Sequence, residues 1–326
     1  MIKMAGKWRQ RRLLWLIPMM LLSAWWALSW WPHLAGGTPS ADEVPPGVLI
    51  KAEPLKVLID KKAPHLRVID FRPLTNYYLG HIPGAIHLWR PETENRDQSF
   101  PGQPPAAKQL ETLLGRLGVG NRDTLIIYSD QCDQTHLWWL LAYYGLPPNR
   151  MRLLDGGFES WKAKEFPTQL TSPQFKPVSF RFPSKSGVST LLATLQQVRG
   201  AREGPHRVIL DARRQSFFSG EGTKEGAARP GRIPGAVSVF WEENRMASGP
   251  LKGCWKSPGE LRDLYASRGV TPDKDIYIYT HHERCAAFSL VSLYLAGYPL
   301  EKLHLYAGSW IEWSRSREPA ETGPAS

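Results

Sequence analysis

Cysteine is scarce in this chain: Cys132, Cys254 and Cys285 are the only three in 326 residues. Small secreted domains stapled by disulfides carry more, in even number, so that class is excluded. In an oxidising compartment, an odd count leaves at least one thiol outside any intramolecular pair. Basic runs interleaved with aromatics, as single-strand nucleic-acid binders have them, are also missing. The formal charge is +11, but Lys3, Lys7, Arg9, Arg11 and Arg12 supply five of those charges before the first domain. The rest is spread along the chain, and nucleic acid is not an expected partner. With 42% apolar and 22% charged residues the chain reads as globular rather than disordered. Its length suits two ordinary domains.

Long apolar stretches are absent apart from one. "KWRQRR" precedes an uncharged run from Leu13 to Trp31. About 20 apolar residues span a bilayer. The basic flank is expected to stay cytoplasmic, and Trp25, Trp26, Trp30 and Trp31 sit where indole rings favour the headgroups. Residues 1–34 therefore read as an uncleaved signal anchor. The competing reading is a cleaved signal peptide with Ala27 and Ser29 at the small-residue positions. Both place the globular part in a periplasm, tethered to the inner membrane in the first case and released in the second.

Beyond residue 35 the dominant feature is an internal repeat. "RVIDFRPLTNYYLGHIPGAIHLW" (67–89) matches "RVILDARRQ" and "GRIPGAVSVFW" (207–241). "DTLIIYSDQCDQTHLWWLLAYYGL" (123–146) matches "DIYIYTHHERCAAFSLVSLYLAGY" (275–298), and "LLDGGFESW" matches "LYAGSWIEW". Ile82 and Tyr128 are 46 positions apart, as are Ile233 and Tyr279. Each unit alternates short apolar strands with helix-like patterns, which implies an α/β fold, a parallel sheet with helices on both faces. Gly84 and Gly235, after Pro83 and Pro234, suit tight turns. The expected boundaries are a linker at 35–55, a first domain at 56–170, a Pro- and Ser-containing linker at 171–186, a second domain at 187–318 and a tail at 319–326.

"VIDFR" with "GHIPGAI", "LDAR" with "GRIPGAV", and "YAGSWIEW" resemble the signatures of the rhodanese family. The similarity is to its tandem two-domain sulfurtransferases of the thiosulfate and mercaptopyruvate type. The resemblance implies a cysteine directly after the central strand, opening a six-residue loop that leads into a helix. Loop amides and the helix N-terminus would stabilise its thiolate and the persulfide it forms with a small sulfur donor such as thiosulfate. A thiol or protein acceptor would then remove the sulfur, with no cofactor. The resemblance also implies that Asp70, Arg72, Asp211 and Arg213 brace the loops through charge-assisted hydrogen bonds, a plain structural salt bridge being the alternative. It further implies that Arg229 helps to bind an anionic donor.

The two loops depart from that pattern. Thr280 holds the cysteine position of the second unit, followed by His281, His282, Glu283, Arg284 and Cys285. Ser129 holds it in the first unit, whose loop carries Cys132 at the fourth place. A threonine hydroxyl is far less acidic than a thiol and cannot stand in. The displaced Cys285, at the start of a helix, is the candidate sulfur carrier, with His281, His282, Glu283, Arg284, Arg213 and Arg229 as candidate anion-binding residues. Cys132, flanked by Asp130 and Asp133, is less suited to carry a thiolate, and Cys254 reads as structural. Three other readings stay open. One is a non-catalytic module for a partner or an anion. Another is a copper or zinc site between the facing loops, drawn from His281, His282, Cys285, Cys132 and His136. The third is a Cys132–Cys285 disulfide, which needs Cα atoms within about 7 Å.

Overall fold

The computed structural model describes residues 47–95, 100, 102–130, 132–183 and 189–324. The Leu13–Trp31 run lies outside them. Among the described residues no helix is long and apolar enough to cross a membrane.

The first repeat unit runs β1 (Leu49–Ile50), α1 (Ala52–Asp60), β2 (Leu66–Asp70), α2 (Leu74–Tyr78), β3 (Ile86–His87), α3 (Ala107–Arg116), β4 (Thr124–Tyr128), α4 (Asp133–Tyr143), β5 (Met151–Leu154) and α5 (Gly157–Lys162). The second repeats it as β6 (Leu192–Ala193), α6 (Leu195–Ala201), β7 (Arg207–Asp211), α7 (Gln215–Ser219), β8 (Val237–Ser238), α8 (Pro258–Ala266), β9 (Asp275–Tyr279), α9 (Ala286–Leu295), β10 (Leu303–Tyr306) and α10 (Ser309–Arg315). Each forms a parallel sheet, in the orders β1-β5-β4-β2-β3 and β6-β10-β9-β7-β8. β4 and β9 are central, and their carboxyl ends feed the two loops of interest.

Alternate residues of the short apolar strands face opposite layers, as the twofold period of a strand requires. Val68, Ile126 and Leu154 pack on α1 and α5 through Leu55 and Trp161, while Ile69, Ile127 and Leu153 pack on α3 and α4. The second sheet is covered in the same way, by α6 and α10 on one side and α8 and α9 on the other. α4 is buried along its whole course from Asp133 to Ala142, and α9 from Ala286 to Leu293. Helices apolar on every side belong inside a core. Here they lie together between the two sheets, and one hydrophobic cluster runs continuously from the first domain into the second.

The repeat register has a physical basis. The hydroxyl of Tyr128 accepts from the Ile82 amide at 3.1 Å, and that of Tyr279 accepts from Ile233 at 3.1 Å. The same hydroxyls donate to Asp70 and Asp211 at 2.6 Å. Burial, with these carboxylates beside them, holds both phenols far above their ordinary range. Gly84 and Gly235 have φ of +77° and +75°, in turns closed by Ala85 N–H to Ile82 O and Ala236 N–H to Ile233 O.

The expected boundaries are tighter in the structure. The first sheet starts at Leu49, inside the stretch read as a linker, because β1 pairs with β5. Part of the 171–186 linker lies along the first domain, where Phe180 is buried and the Val178 amide donates to Gly115. The tail is also docked: Arg232 and Glu321 form an antiparallel bridge, matching His81 and Gln169 in the first domain.

Candidate active site

Behind each loop stands a braced strand end. Arg213 donates through Nε to both carboxylate oxygens of Asp211, at 2.9 and 3.1 Å. Its Nη2 donates to Asp211 Oδ2 at 2.6 Å and to the Gly231 carbonyl at 2.8 Å. Arg72 makes the matching bonds to Asp70 and to Gly80. All four side chains are buried. The aspartates thus hold the tyrosine and arginine that frame the loop, rather than touching the loop themselves.

Thr280 is buried, and its hydroxyl donates to the His282 carbonyl at 2.5 Å. Its carbonyl accepts from Trp310 N–H, and that of His281 accepts from Ile311 N–H, so the loop is pinned to the start of α10. Ser129 plays a similar part in the first domain, its Oγ accepting from the Gln134 amide at 3.1 Å and its carbonyl from Phe158 N–H. Thr280 and Ser129, the first residues of their loops, are therefore committed to loop structure.

The two loop cysteines meet. Cys132 and Cys285 cap the N-termini of α4 and α9 and are joined as a disulfide, with Cα atoms 5.4 Å apart and 153 residues between them in sequence. Of the placements open from sequence, the disulfide is the one realised, and it bonds the Cys285 sulfur across the domain interface. Beside the bond, the Asp133 carboxylate accepts from Arg90 Nη1 at 3.0 Å and Arg284 Nε at 2.6 Å, and also from Arg284 Nη2. This ion-pair cluster joins the domains and neutralises the acid next to Cys132.

Two cavities flank the contact. One, of about 170 Å³, is lined by Arg213, Arg214, Lys224 and Arg284. Phe217, Phe240 and Trp241 form its apolar wall, and Thr280, His281, His282 and Cys285 complete it. No acidic side chain lines it among the described residues. The other, of about 330 Å³, lies on the first-domain side against Arg72, Trp89 and Asp133 and shares His282 and Arg284 with the first. His281 bonds through Nε2 to the Glu225 carbonyl at 2.7 Å, and burial with the nearby Lys224 and Arg213 cations lowers its pKa. Burial and then Arg90 bring His282 down to about 4, so both imidazoles are neutral near pH 7.

Several sequence expectations are corrected. Arg229 does not reach the cavity; its Nη2 donates to the carbonyls of Trp313, Ser316 and Glu318 and caps the end of α10. Arg284 lines the cavity, but its guanidinium is engaged by Asp133. The metal reading loses its thiolate, since Cys285 is bonded to Cys132, and no group of three or more His, Cys, Asp or Glu among the described residues could hold an ion. Lys224 and Arg214 were not anticipated. The signal was a length difference: Asp70 to His81 spans 11 positions and Asp211 to Arg232 spans 21, and Lys224 lies in the extra segment. Cys254 is free and sits beside Asp155, where burial and that carboxylate push its thiol up to about 11.

Known proteins resemble this chain over both repeat units. The rhodanese-like domain model matches residues 51–164 and again 194–316. A thiosulfate sulfurtransferase of Azotobacter vinelandii is 32% identical over 267 residues, covering 80% of this chain and 92% of the relative. The human 3-mercaptopyruvate sulfurtransferase is 27% identical over 247 residues, covering 74% and 79%. An anaerobic ergothioneine biosynthesis enzyme from Chlorobium limicola shares the fold, with a TM-score of 0.74 at 21% identity over 85% of this chain and 71% of that one. With two matched domains and the doubled topology in agreement, the chain belongs to the rhodanese family as a tandem of two rhodanese-like domains.

Proposed function

We propose that the reduced protein is a sulfurtransferase in which Cys285 takes sulfane sulfur from a small anionic donor of the thiosulfate class. One observation carries this reading: Cys285 stands at the N-terminus of α9, on the wall of a cavity lined by cations. A helix N-terminus favours a thiolate and then a persulfide. Lys224 and Arg214 supply positive charge for the donor, and the aromatic wall shields the transferred sulfur from water. Thr280 takes no part as nucleophile, and His281 and His282 act as neutral walls. The sulfurtransferase relatives support the same class of reaction.

The test uses protein reduced with a dithiol, freed of reductant and incubated with thiosulfate. Wild type should release sulfite, and Cys285→Ser should release none. Equal release from both proteins removes Cys285 from the chemistry. No release from either favours the second reading, a non-catalytic rhodanese-like module, for which Thr280 at the usual cysteine position and the Cys132–Cys285 bond both speak. As to location, we propose a periplasmic globular part tethered to the inner membrane by the Leu13–Trp31 run. The disulfide supports this, because such bonds persist in oxidising compartments.

A further inference from the structure

We infer that Cys132 is a resolving thiol for the persulfide on Cys285, so that the protein reduces sulfane sulfur to sulfide with its own dithiol. The inference rests on Cys285 being the sulfur acceptor. Three observations lead to it. The two Cα atoms are 5.4 Å apart, within the span a disulfide needs, and the Sγ atoms are joined. The inner sulfur of a Cys285 persulfide is the same Sγ atom, and so already within reach of Cys132. The pair is also asymmetric: Cys285 lines the cationic cavity, whereas Cys132 is fully buried and lines neither cavity of the interface. A donor in solution meets Cys285 and not Cys132. Finally, the carboxylate nearest Cys132 in sequence, Asp133, is neutralised by Arg90 and Arg284. This removes much of the repulsion that would oppose a thiolate there, and the α4 N-terminus favours one.

The steps balance without a further reagent. Cys285 thiolate attacks the sulfane sulfur of thiosulfate, the donor S–S bond breaks and sulfite leaves with the electron pair. Cys132 gives up its proton and attacks Cys285 Sγ. The bond to the outer sulfur breaks, and that sulfur departs as hydrosulfide with its electron pair. Two thiols lose two electrons to become the disulfide, and one zero-valent sulfur gains them. A second turnover requires an external dithiol to reopen the bond.

A single-turnover experiment tests this on full-length protein, pre-reduced, freed of reductant and mixed with thiosulfate. Wild type should yield one sulfite and one sulfide per chain and finish as the disulfide, with no sulfur added to its intact mass. Cys132→Ser should release the same sulfite, which also shows that it is folded. It should then retain the mass of one sulfur atom, with sulfide at least tenfold lower. Sulfite without sulfide from wild type, or equal sulfide from Cys132→Ser, overturns the inference alone. Absence of sulfite from wild type overturns the acceptor reading and this one with it.

Discussion

The bond between Cys132 and Cys285 ties points 153 residues apart. In the chain-entropy account, a cross-link closing a loop of that length removes about 17 cal/mol/K from the unfolded ensemble, or about 5 kcal/mol at 25 °C. Measured values for disulfides are commonly about 2–4 kcal/mol, because reduced unfolded chains keep some structure. Both cysteines lie against the cluster that runs through both domains, so the domains should unfold together and the whole effect should fall on one transition. Urea unfolding with and without a dithiol should show it. With m-values at or above about 3 kcal/mol/M for a chain of this size, the midpoint should drop by about 1 M on reduction. A Cys132→Ser/Cys285→Ser double variant should start at the reduced midpoint and not respond to dithiol. Alkylation of unreduced, unfolded wild type should label Cys254 alone. Coincident curves, or three labelled cysteines, would refute the reasoning.

Other expectations follow from the same contacts. Tyr279→Phe removes the donor to Asp211 and strands the buried Ile233 amide, and should cost about 2–4 kcal/mol in unfolding free energy. Tyr128→Phe should cost a similar amount through Ile82 and Asp70, and a loss below about 0.5 kcal/mol in either would contradict the bracing role. His282 is neutral in the folded protein down to about pH 4 but binds a proton near pH 6.5 when unfolded. Its contribution is therefore full at pH 7 and is lost as pH falls from about 6.5 to about 4, by at most about 3 kcal/mol. Fully buried His136 shifts in the same direction, and His282→Asn should make the measured stability curve shallower across that window. Lys224→Ala should raise KM for thiosulfate about three- to tenfold with kcat nearly unchanged, and the gap should shrink at about 0.5 M salt. A KM unmoved at low salt would take Lys224 out of donor binding.

The doubled α/β architecture was legible because local features specify it. Continuously apolar strands, Pro-Gly turns and the constant spacing of Ile82 to Tyr128 and Ile233 to Tyr279 all encode contacts made within one unit. The direction of a long side chain was not legible: Arg229 caps α10 instead of facing an anion, because the carbonyls it reaches are positioned by packing. Nor was the placement of Lys224 and Arg214 on one cavity wall, which depends on how separate segments of the second unit pack beside His281. The bond between Cys132 and Cys285 depends on the relative rotation of two domains, set by the packing of α4 on α9. The sequence alone thus determined two repeats and their register. Only the tertiary structure decided that Cys132 and Cys285 meet, because a distance between residues 153 positions apart is a property of the packed interface.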